Sequence, residues 1–407
     1  MDRTFSVSES LTVNEKIEPG MKILFVTDTY YPHINGVYYF VQRLATLLQG
    51  KGHEVAVIAP SASLDYSYTK VDDINIYGLP SFSTMLYKSV RVPVPFLLKK
   101  RIDDIINVYK PDVIHIQGHF ILNRAVLEVN KKYKIPIMGT NHFMTENLTC
   151  FVPTQKLKTR VDIYLWKEFS KVFNQASILT TPTEMAAELI RPKLKQSVIP
   201  VSNGIDLKRF SQDVNTNYIR KKYSLPERPI LLSVGRLDPE KHLNEVLEAA
   251  ARALKTSDFC LVICGKGIER EALERLTKKL GIEESVFFTG FVPDEDLPAF
   301  YKTSSCFISA SIAELQSIAT MEAMASGIPV IAADAGALSE LVHNGINGYL
   351  FNPGDIGTIA ESISLIFDNE MLQKAMGRKS LEYISKHDVN ETVIVYEGLY
   401  RNMAAVA

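Results

Sequence analysis

Glu314 and Glu322 stand eight positions apart in the stretch Ser311-Ile-Ala-Glu-Leu-Gln-Ser-Ile-Ala-Thr-Met-Glu-Ala-Met-Ala-Ser-Gly327. The run Cys306-Phe-Ile-Ser-Ala310 before them is strand-like, and helix formers fill the stretch from Leu315 to Ala325. This predicts one carboxylate in the loop at a strand end and the other about two turns into the following helix. The unpaired backbone N–H groups of that helix start favour an anion between them. Two carboxylates that each accept bonds from a set of hydroxyls, with a phosphate held between, suit a nucleotide-sugar. The bland alternative is a helix with one solvated glutamate and one bonded at a cap. Against it stands the small-residue run Ala323-Met-Ala-Ser-Gly327, which lets the helix pack close to a sheet beside the strand candidate Pro329–Ala333.

Other residues could serve the same chemistry. In Gly235-Arg-Leu-Asp-Pro-Glu-Lys241, Arg236 and Lys241 fall on a strand-end loop and a helix start, where two cations would neutralise a diphosphate and stabilise its leaving charge. A solvated basic loop is the alternative. The first strand runs into Thr27-Asp-Thr-Tyr-Tyr-Pro-His-Ile-Asn-Gly-Val37, where Gly36 near a helix start allows close approach to a phosphate or simply makes a tight turn. No G-x-G-x-x-G occurs there, which counts against a dinucleotide oxidoreductase. His142, in Gly139-Thr-Asn-His-Phe143, sits at a strand tip, where a neutral imidazole can donate to a substrate hydroxyl or be purely structural. His115 and His119 are similarly placed but less distinctive, and His53 precedes a strand and so faces the wrong end.

The elements that position these residues are short β-rich runs alternating with helical patterns, the pattern of parallel sheets wrapped by helices. Strands are predicted at Lys22–Asp28, Glu54–Ala59, Val113–Gln117, Pro136–Thr140 and Ile178–Thr181, then at Pro229–Gly235, Cys260–Cys264, Val286–Thr289, Cys306–Ser309 and Pro329–Ala333. Helical patterns include Val37–Leu48 and Leu243–Leu254. At 407 residues two domains are the default. The expected division is a polar extension at 1–20, a first domain at 21–203, a second at 204–385, and a helix at 386–407 that crosses back onto the first. The seam is placed at Ile199–Phe210, where Pro200, Asn203 and Gly204 are turn residues. Ligands of paired open sheets bind at the carboxyl ends of the strands, hence in the cleft between domains.

Bulk properties exclude some classes. A net charge of −1 argues against a general nucleic-acid binder. Cys150, Cys260, Cys264 and Cys306 lack zinc-type spacing and are expected to be reduced thiols. No apolar run approaches the ~20 residues that span a bilayer, and residues 1–20 lack the apolar core of a secretory signal. Two stretches carry basic and apolar residues together. Leu86–Arg101 holds Lys88, Arg91, Lys99, Lys100 and Arg101; Gln155–Phe173 holds Lys156, Lys158, Arg160, Lys167 and Lys171, with Trp166 among its apolar residues. They suit an anionic lipid surface, or are ordinary helices facing a core.

From Met21 onward the chain resembles the retaining glycosyltransferases of family 4, which have the GT-B fold of two Rossmann-like doubly wound α/β domains facing a cleft. The likeness rests on ordered pieces: Asn35-Gly-Val37, Gly52-His-Glu-Val55, Thr140-Asn-His-Phe143, Ile199–Phe210, Gly235–Lys241, and Glu314 to Gly327. It implies that Glu314 binds donor-sugar hydroxyls, amides near Ser317 and Ile318 the diphosphate, Glu322 the ribose, and the backbone near Phe291 and Val292 the base. Arg236 and Lys241 would hold the diphosphate, Gly36 would close over it, and His142 would lie beside the sugar near the acceptor. No metal or other cofactor is implied. The chain departs from the family at Gln316 and Ser317, where an aromatic and a glycine are usual, and at His242, where glycine is common. Gln316 is similar to a branch that glycosylates membrane lipids.

The resemblance thus implies a hexosyltransferase acting with retention on a nucleoside-diphosphate sugar, UDP-glucose first and GDP-mannose second. The acceptor would be a lipid such as diacylglycerol or a phosphatidylinositol, at the inner, cytoplasmic face of the cell membrane. A soluble sugar or polysaccharide acceptor is the alternative enzyme, and a nucleotide-sugar-binding regulator without turnover the alternative of another class.

Overall fold

Valine, isoleucine and leucine crowd the predicted strands, and in the structure those runs are buried on both faces, as parallel sheets between helices require. The structure, a computed structural model, describes residues 20–30, 36–83, 91–145, 149, 152 and 154–406. The first sheet is built from β1 (Lys22–Val26), β2 (Glu54–Pro60), β3 (Ser67–Val71), β4 (Ile74–Leu79), β7 (Val113–Ile116), β8 (Ile137–Thr140), β9 (Ile178–Thr181) and β10 (Val198–Pro200). Their order is β10-β9-β8-β7-β1-β2-β4-β3, and β3 alone runs antiparallel, on β4. A separate two-stranded ribbon pairs β5 (Ser81–Ser83) with β6 (Arg91–Pro93).

The second sheet comprises β11 (Ile230–Val234), β12 (Cys260–Cys264), β13 (Val286–Gly290), β14 (Cys306–Ser309), β15 (Val330–Ala333) and β16 (Gly348–Phe351), all parallel, in the order β13-β12-β11-β14-β15-β16. Both sheets are doubly wound. The strand order reverses between β1 and β7 in the first and between β11 and β14 in the second, and a crevice opens beyond the strands at each reversal. Cys260, Cys264 and Cys306 are buried free thiols in the second sheet, and Cys150 lies outside the described residues.

Six of the strands, β3, β4, β5, β6, β10 and β16, are not among those predicted. Ser67–Val71 is an edge strand of largely exposed residues, and Val198–Pro200 has only three residues inside the stretch read as the seam. The first has no buried apolar face, and the second is too short to show period-2 alternation.

The C-terminal helix Val389–Val406 lies on the first sheet. Its Val393, Tyr396, Tyr400 and Met403 join the core formed by β1, β2 and the helix Gly36–Gly50. His115 lies buried beneath it, bonded to Tyr400 Oη at 2.7 Å and to Thr140 Oγ1 at 2.6 Å. His53 accepts from the Met21 amide at 3.1 Å and meets Glu397 of this helix at 3.2 Å. Both histidines are therefore structural. The chain crosses between the sheets twice, and the crossings are bridged: Ile205 N donates to His387 O at 2.8 Å and Val389 N to Ile205 O at 3.0 Å.

Candidate active site

The two loops singled out for chemistry leave β11 and β14, the neighbouring strands at the switch point of the second sheet. A backbone bond from Ile312 N to Glu240 O, 3.0 Å long, fastens one loop to the other. That brings Lys241 Nζ to 2.5 Å from Glu314 Oε1 and 3.4 Å from Ser311 Oγ. A small pocket beside Lys241 is lined also by Gly235, Arg236, Ser309 and Ala310. The Glu314 loop is backed by Gly336 in the left-handed region at φ +56°, where a Cβ would come within 2.7 Å of the Glu314 carbonyl oxygen.

Arg236 is placed at the same pocket but is already engaged. Its guanidinium pairs with Asp238 and, at 2.6 Å, with Glu240; both carboxylates are buried, and the arginine is half exposed. The two cations expected from the sequence are thus held in ion pairs that fix long side chains toward the pocket, with a second oxygen of Glu240 buried and unpartnered. His242 occupies the left-handed region at φ 47°, where glycine is favoured, and its ring bonds Glu245 Oε1 at 2.7 Å.

The helix after Glu314 is shorter than expected. It spans Ile318–Ala325, so Glu322 sits a little over one turn in rather than two. Leu315, Gln316 and Ser317 are spent on other bonds. Leu315 O accepts from Thr183 of the first domain at 2.9 Å, Gln316 bonds the seam, and Ser317 caps the helix by accepting from Thr320 N at 3.3 Å. Serine at this place therefore has a capping role that glycine would lack. With the Thr320 amide taken, those of Ile318 and Ala319 are the first-turn donors without an intrahelical partner.

Glu322 is buried, and Tyr301 Oη donates to its Oε2 at 2.9 Å. Loss of solvent pushes its carboxyl up to about 7, against the lowering pull of Tyr301 and the nearby Arg43. Arg43 comes from the first-domain helix Gly36–Gly50 and donates to Gly204 O at 2.7 Å. On the same helix, burial together with the nearby Asp294 and Glu322 pushes the Tyr39 phenol up to about 12. This helix, with Gly36 as its first residue, therefore faces Glu322 across the cleft. Residues 31–35 before it, including Asn35, lie outside the described residues. Arg43, Tyr39 and Tyr301 escape a sequence reading, since each is one polar group within an apolar helical stretch.

Past β13, Gly290 adopts φ +74°, Phe291 is exposed with Lys266 Nζ 5.9 Å from its ring centre, and Val292 is buried. His142 follows β8 in the first domain. Its Nε2 lies 2.8 Å from Gln117 Oε1 and its ring 4.8 Å from that of Phe40. Burial holds it well below its ordinary value, so it is neutral near pH 7. His119 is packed among Phe120, Phe143 and Phe169 with neither ring nitrogen bonded. Asp28, at the switch point of the first sheet, accepts from Leu122 N and Asn123 Nδ2, and burial pushes its carboxyl up to about 6. Among the described residues no group of three or more histidine, cysteine or acidic side chains is placed to hold a metal ion.

The two basic and apolar stretches meet at one surface. Residues 84–90, with Leu86 and Lys88, lie outside the described residues. The helix Leu98–Tyr109 leads into β7 and the helix Gln155–Phe173 into β9, so both begin at the cleft edge of the sheet. Only Phe169, Val172 and Phe173 of the second helix are buried, while Leu157, Ile163 and Tyr164 are exposed beside Lys156 and Arg160, with Lys158 partly covered. A cavity of about 500 Å³ opens between the start of the first helix, the helix Ile121–Tyr133 and the last turn of the second, lined by Leu97, Lys99, Lys100, Ile121, Arg124 and Lys171 among others. Arg101 stacks on Tyr66 instead, and Trp166 packs against Phe169 with Lys193 over its ring. No helix among the described residues is long and apolar enough to cross a membrane.

Comparison with known proteins bears on the family and the fold. Residues 34–209 match the family described as Glycosyltransferase Family 4, and residues 215–383 match Glycosyl transferases group 1. Alpha-monoglucosyldiacylglycerol synthase of Streptococcus pneumoniae is 30% identical over 341 residues, 81% of this chain and 75% of that protein. A GDP-mannose-dependent alpha-mannosyltransferase of Corynebacterium glutamicum is 27% identical over 84% of this chain and 79% of its own length. Among solved structures, sucrose-phosphate synthase from Thermosynechococcus elongatus shares the fold with a TM-score of 0.78 at 20% identity, covering 95% of this chain and 100% of that one. The chain belongs to glycosyltransferase family 4 and has its two-domain GT-B fold.

Proposed function

We propose that this glycosyltransferase moves a hexose from UDP-glucose to a hydroxyl of a membrane lipid such as diacylglycerol, keeping the anomeric configuration. The observation that carries the reading is the Lys241–Glu314 contact at the second-sheet switch point, which sets a cation for phosphate beside a carboxylate for sugar hydroxyls. In this reading the bond from the anomeric carbon to the phosphate oxygen breaks while the acceptor oxygen bonds the same face. The acceptor proton passes to the departing diphosphate. Lys241, Arg236 and the amides at Ser317 and Ile318 meet the developing charge, so no metal is invoked. Glu322 takes the ribose, the backbone at Phe291 and Val292 takes the base, Gly36 approaches the phosphates, and His142 donates to the sugar from the other domain. Closure of the two domains excludes water.

The lipid acceptor is supported by the relative named alpha-monoglucosyldiacylglycerol synthase and by the exposed apolar and basic surface of the first domain. A patch of that composition fits an anionic membrane, giving a peripheral enzyme at the cytoplasmic face. GDP-mannose as donor is favoured by one observation, the mannosyltransferase relative. The test is a screen of UDP- and GDP-sugars against diacylglycerol in anionic vesicles and against soluble sugars. Transfer to the lipid from UDP-glucose is expected. Donor binding without transfer or hydrolysis to any acceptor overturns the enzymatic reading, and transfer only to a soluble sugar overturns the lipid one.

A further inference from the structure

The seam between the domains holds a side chain from the donor loop. Gln316, two residues after Glu314 and directly before the helix cap Ser317, does not face the pocket. Its carboxamide is buried against the first crossing: Oε1 accepts from Asn203 N at 2.8 Å, and Nε2 donates to Ser202 Oγ at 3.1 Å. Ser202 Oγ lies 2.9 Å from His387 Nδ1 in the second crossing. Burial pushes that imidazole down to about 4, so it is neutral and can accept the serine proton. Ser202 O also accepts from Thr392 Oγ1 at 3.1 Å, where the C-terminal helix begins. Gly204, at φ +69°, leaves no room for a Cβ, which would stand 2.7 Å from Val389 Cα. The pivot is therefore tightly packed, and one amide from the donor loop reaches both chain crossings in it.

We propose that Gln316 is a positioning residue that couples occupancy of the donor loop to the angle between the domains. A ligand that engages Glu314 and the amides after Ser317 moves the segment from which Gln316 projects. Because both ends of its carboxamide are bonded to the seam, that movement is delivered to residues 202–204 and, through Ser202, to His387. Packed cores and bonded seams change between discrete arrangements rather than deforming smoothly, so a small shift of the loop selects one domain angle. This rests on the reading of the pocket as a nucleotide-sugar site. It gives the departure at Gln316 a mechanical role in place of a contact with substrate.

The test uses the full chain, with Gln316→Leu, which keeps the volume but not the bonds, with Ser202→Ala, and with the double variant. Small-angle scattering with and without UDP-glucose reads the domain angle, calorimetric titration reads donor binding, and steady-state kinetics separates kcat from KM. The wild type is expected to compact on binding. Each single variant should bind the donor within about threefold of wild type but compact less, with kcat lower on the order of tenfold, the factor that loss of one buried hydrogen bond corresponds to. The double variant should be no worse than either single one, because both break the same connection. Full compaction and unchanged kcat in both single variants overturn the proposal, as does a double variant whose loss is the product of the two. Donor binding to the wild type without compaction also overturns it, leaving the glycosyltransferase reading intact. A wild type that binds no nucleotide-sugar overturns both.

Discussion

Replacing Glu322 by glutamine should have opposite consequences for stability and for donor binding, each with its own dependence on pH. The carboxyl lies buried with Tyr301 as its hydrogen-bond donor, and loss of solvent carries it from an ordinary value of 4.5 to about 7. At about 1.4 kcal/mol for each tenfold step, this displacement corresponds to about 3 kcal/mol. A group whose folded value is raised holds its proton more tightly in the folded protein. Its contribution is complete below pH 4.5, is lost as pH rises to 7, and stays lost above. Glutamine imitates the protonated form, so the variant should come within about 1 kcal/mol of wild type in urea unfolding at pH 5 and exceed it by about 3 kcal/mol at pH 8. Under the proposed role of Glu322, donor binding runs the other way, because ribose hydroxyls would donate to the ionised carboxylate. The wild-type dissociation constant for UDP-glucose should be on the order of tenfold weaker at pH 6 than at pH 8, while the variant binds weakly and evenly across that range. Unfolding midpoints that stay parallel from pH 5 to 8, or donor affinity that is flat in the wild type, would refute the burial argument.

Lys241→Met should lower kcat by about 10²- to 10³-fold, the usual cost of removing one group that meets developing charge, and Glu314→Ala should abolish transfer. Circular dichroism should find both variants folded, and full activity in either would refute the assignment. Gly265, at φ +149°, would bring a Cβ to 1.7 Å from the Gly235 carbonyl oxygen at the start of the phosphate loop. Gly265→Ala should therefore cost on the order of 3 kcal/mol in thermal or urea unfolding. Replacing Lys99, Lys100 and Lys171 together by serine removes three cations that line the cavity at the surface proposed to meet the membrane. At about 1 kcal/mol each, binding to anionic vesicles should fall on the order of a hundredfold in flotation, with activity on detergent-dispersed acceptor preserved.

The sequence carried the fold because buried parallel strands advertise themselves: β1, β2, β7, β8, β9, β11, β12, β13, β14 and β15 coincide with apolar runs within a residue or two. Edge strands do not, since Ser67–Val71 has a solvated face and its pairing depends on β4 lying beside it. The site was legible where spacing alone sets geometry. Glu314 and Lys241 were both placed at strand ends of one cleft, and they meet at 2.5 Å. What escaped were groups brought in by tertiary packing. Asp238 and Glu240 are three and five positions after Gly235 and read as ordinary loop acids, yet folding buries both beside Arg236. Arg43 and Tyr301 reach Glu322 from different domains, at sequence distances no local pattern encodes. The helix start at Ile318 was misplaced for a related reason: Leu315, Gln316 and Ser317 are good or neutral helix formers whose bonds to Thr183, Asn203 and Thr320 outweigh propensity.

The resting charges of the site bear on how a donor enters. Lys241 and Glu314 are a largely covered pair, 19% and 18% exposed, whereas the half-exposed Arg236 pairs with two buried carboxylates, Asp238 and Glu240. Removing Arg236 from them would strand buried charge, so in the proposed donor complex it meets the diphosphate without leaving them, while Lys241 and Glu314 exchange each other for a ligand group. What the pairs supply is orientation. Two long, rotamer-rich side chains are held toward the pocket before any ligand arrives, and the ordering entropy that would otherwise oppose binding is already met by the fold. In the proposed donor complex, release of Lys241 to phosphate would leave the Glu314 oxygens free for sugar hydroxyls in the same motion. Each half of the pair would then be the placeholder for the ligand group that the other half recognises. That reciprocity makes the spacing of the two loops, fixed by the Ile312 N–Glu240 O bond, more consequential than either charge alone.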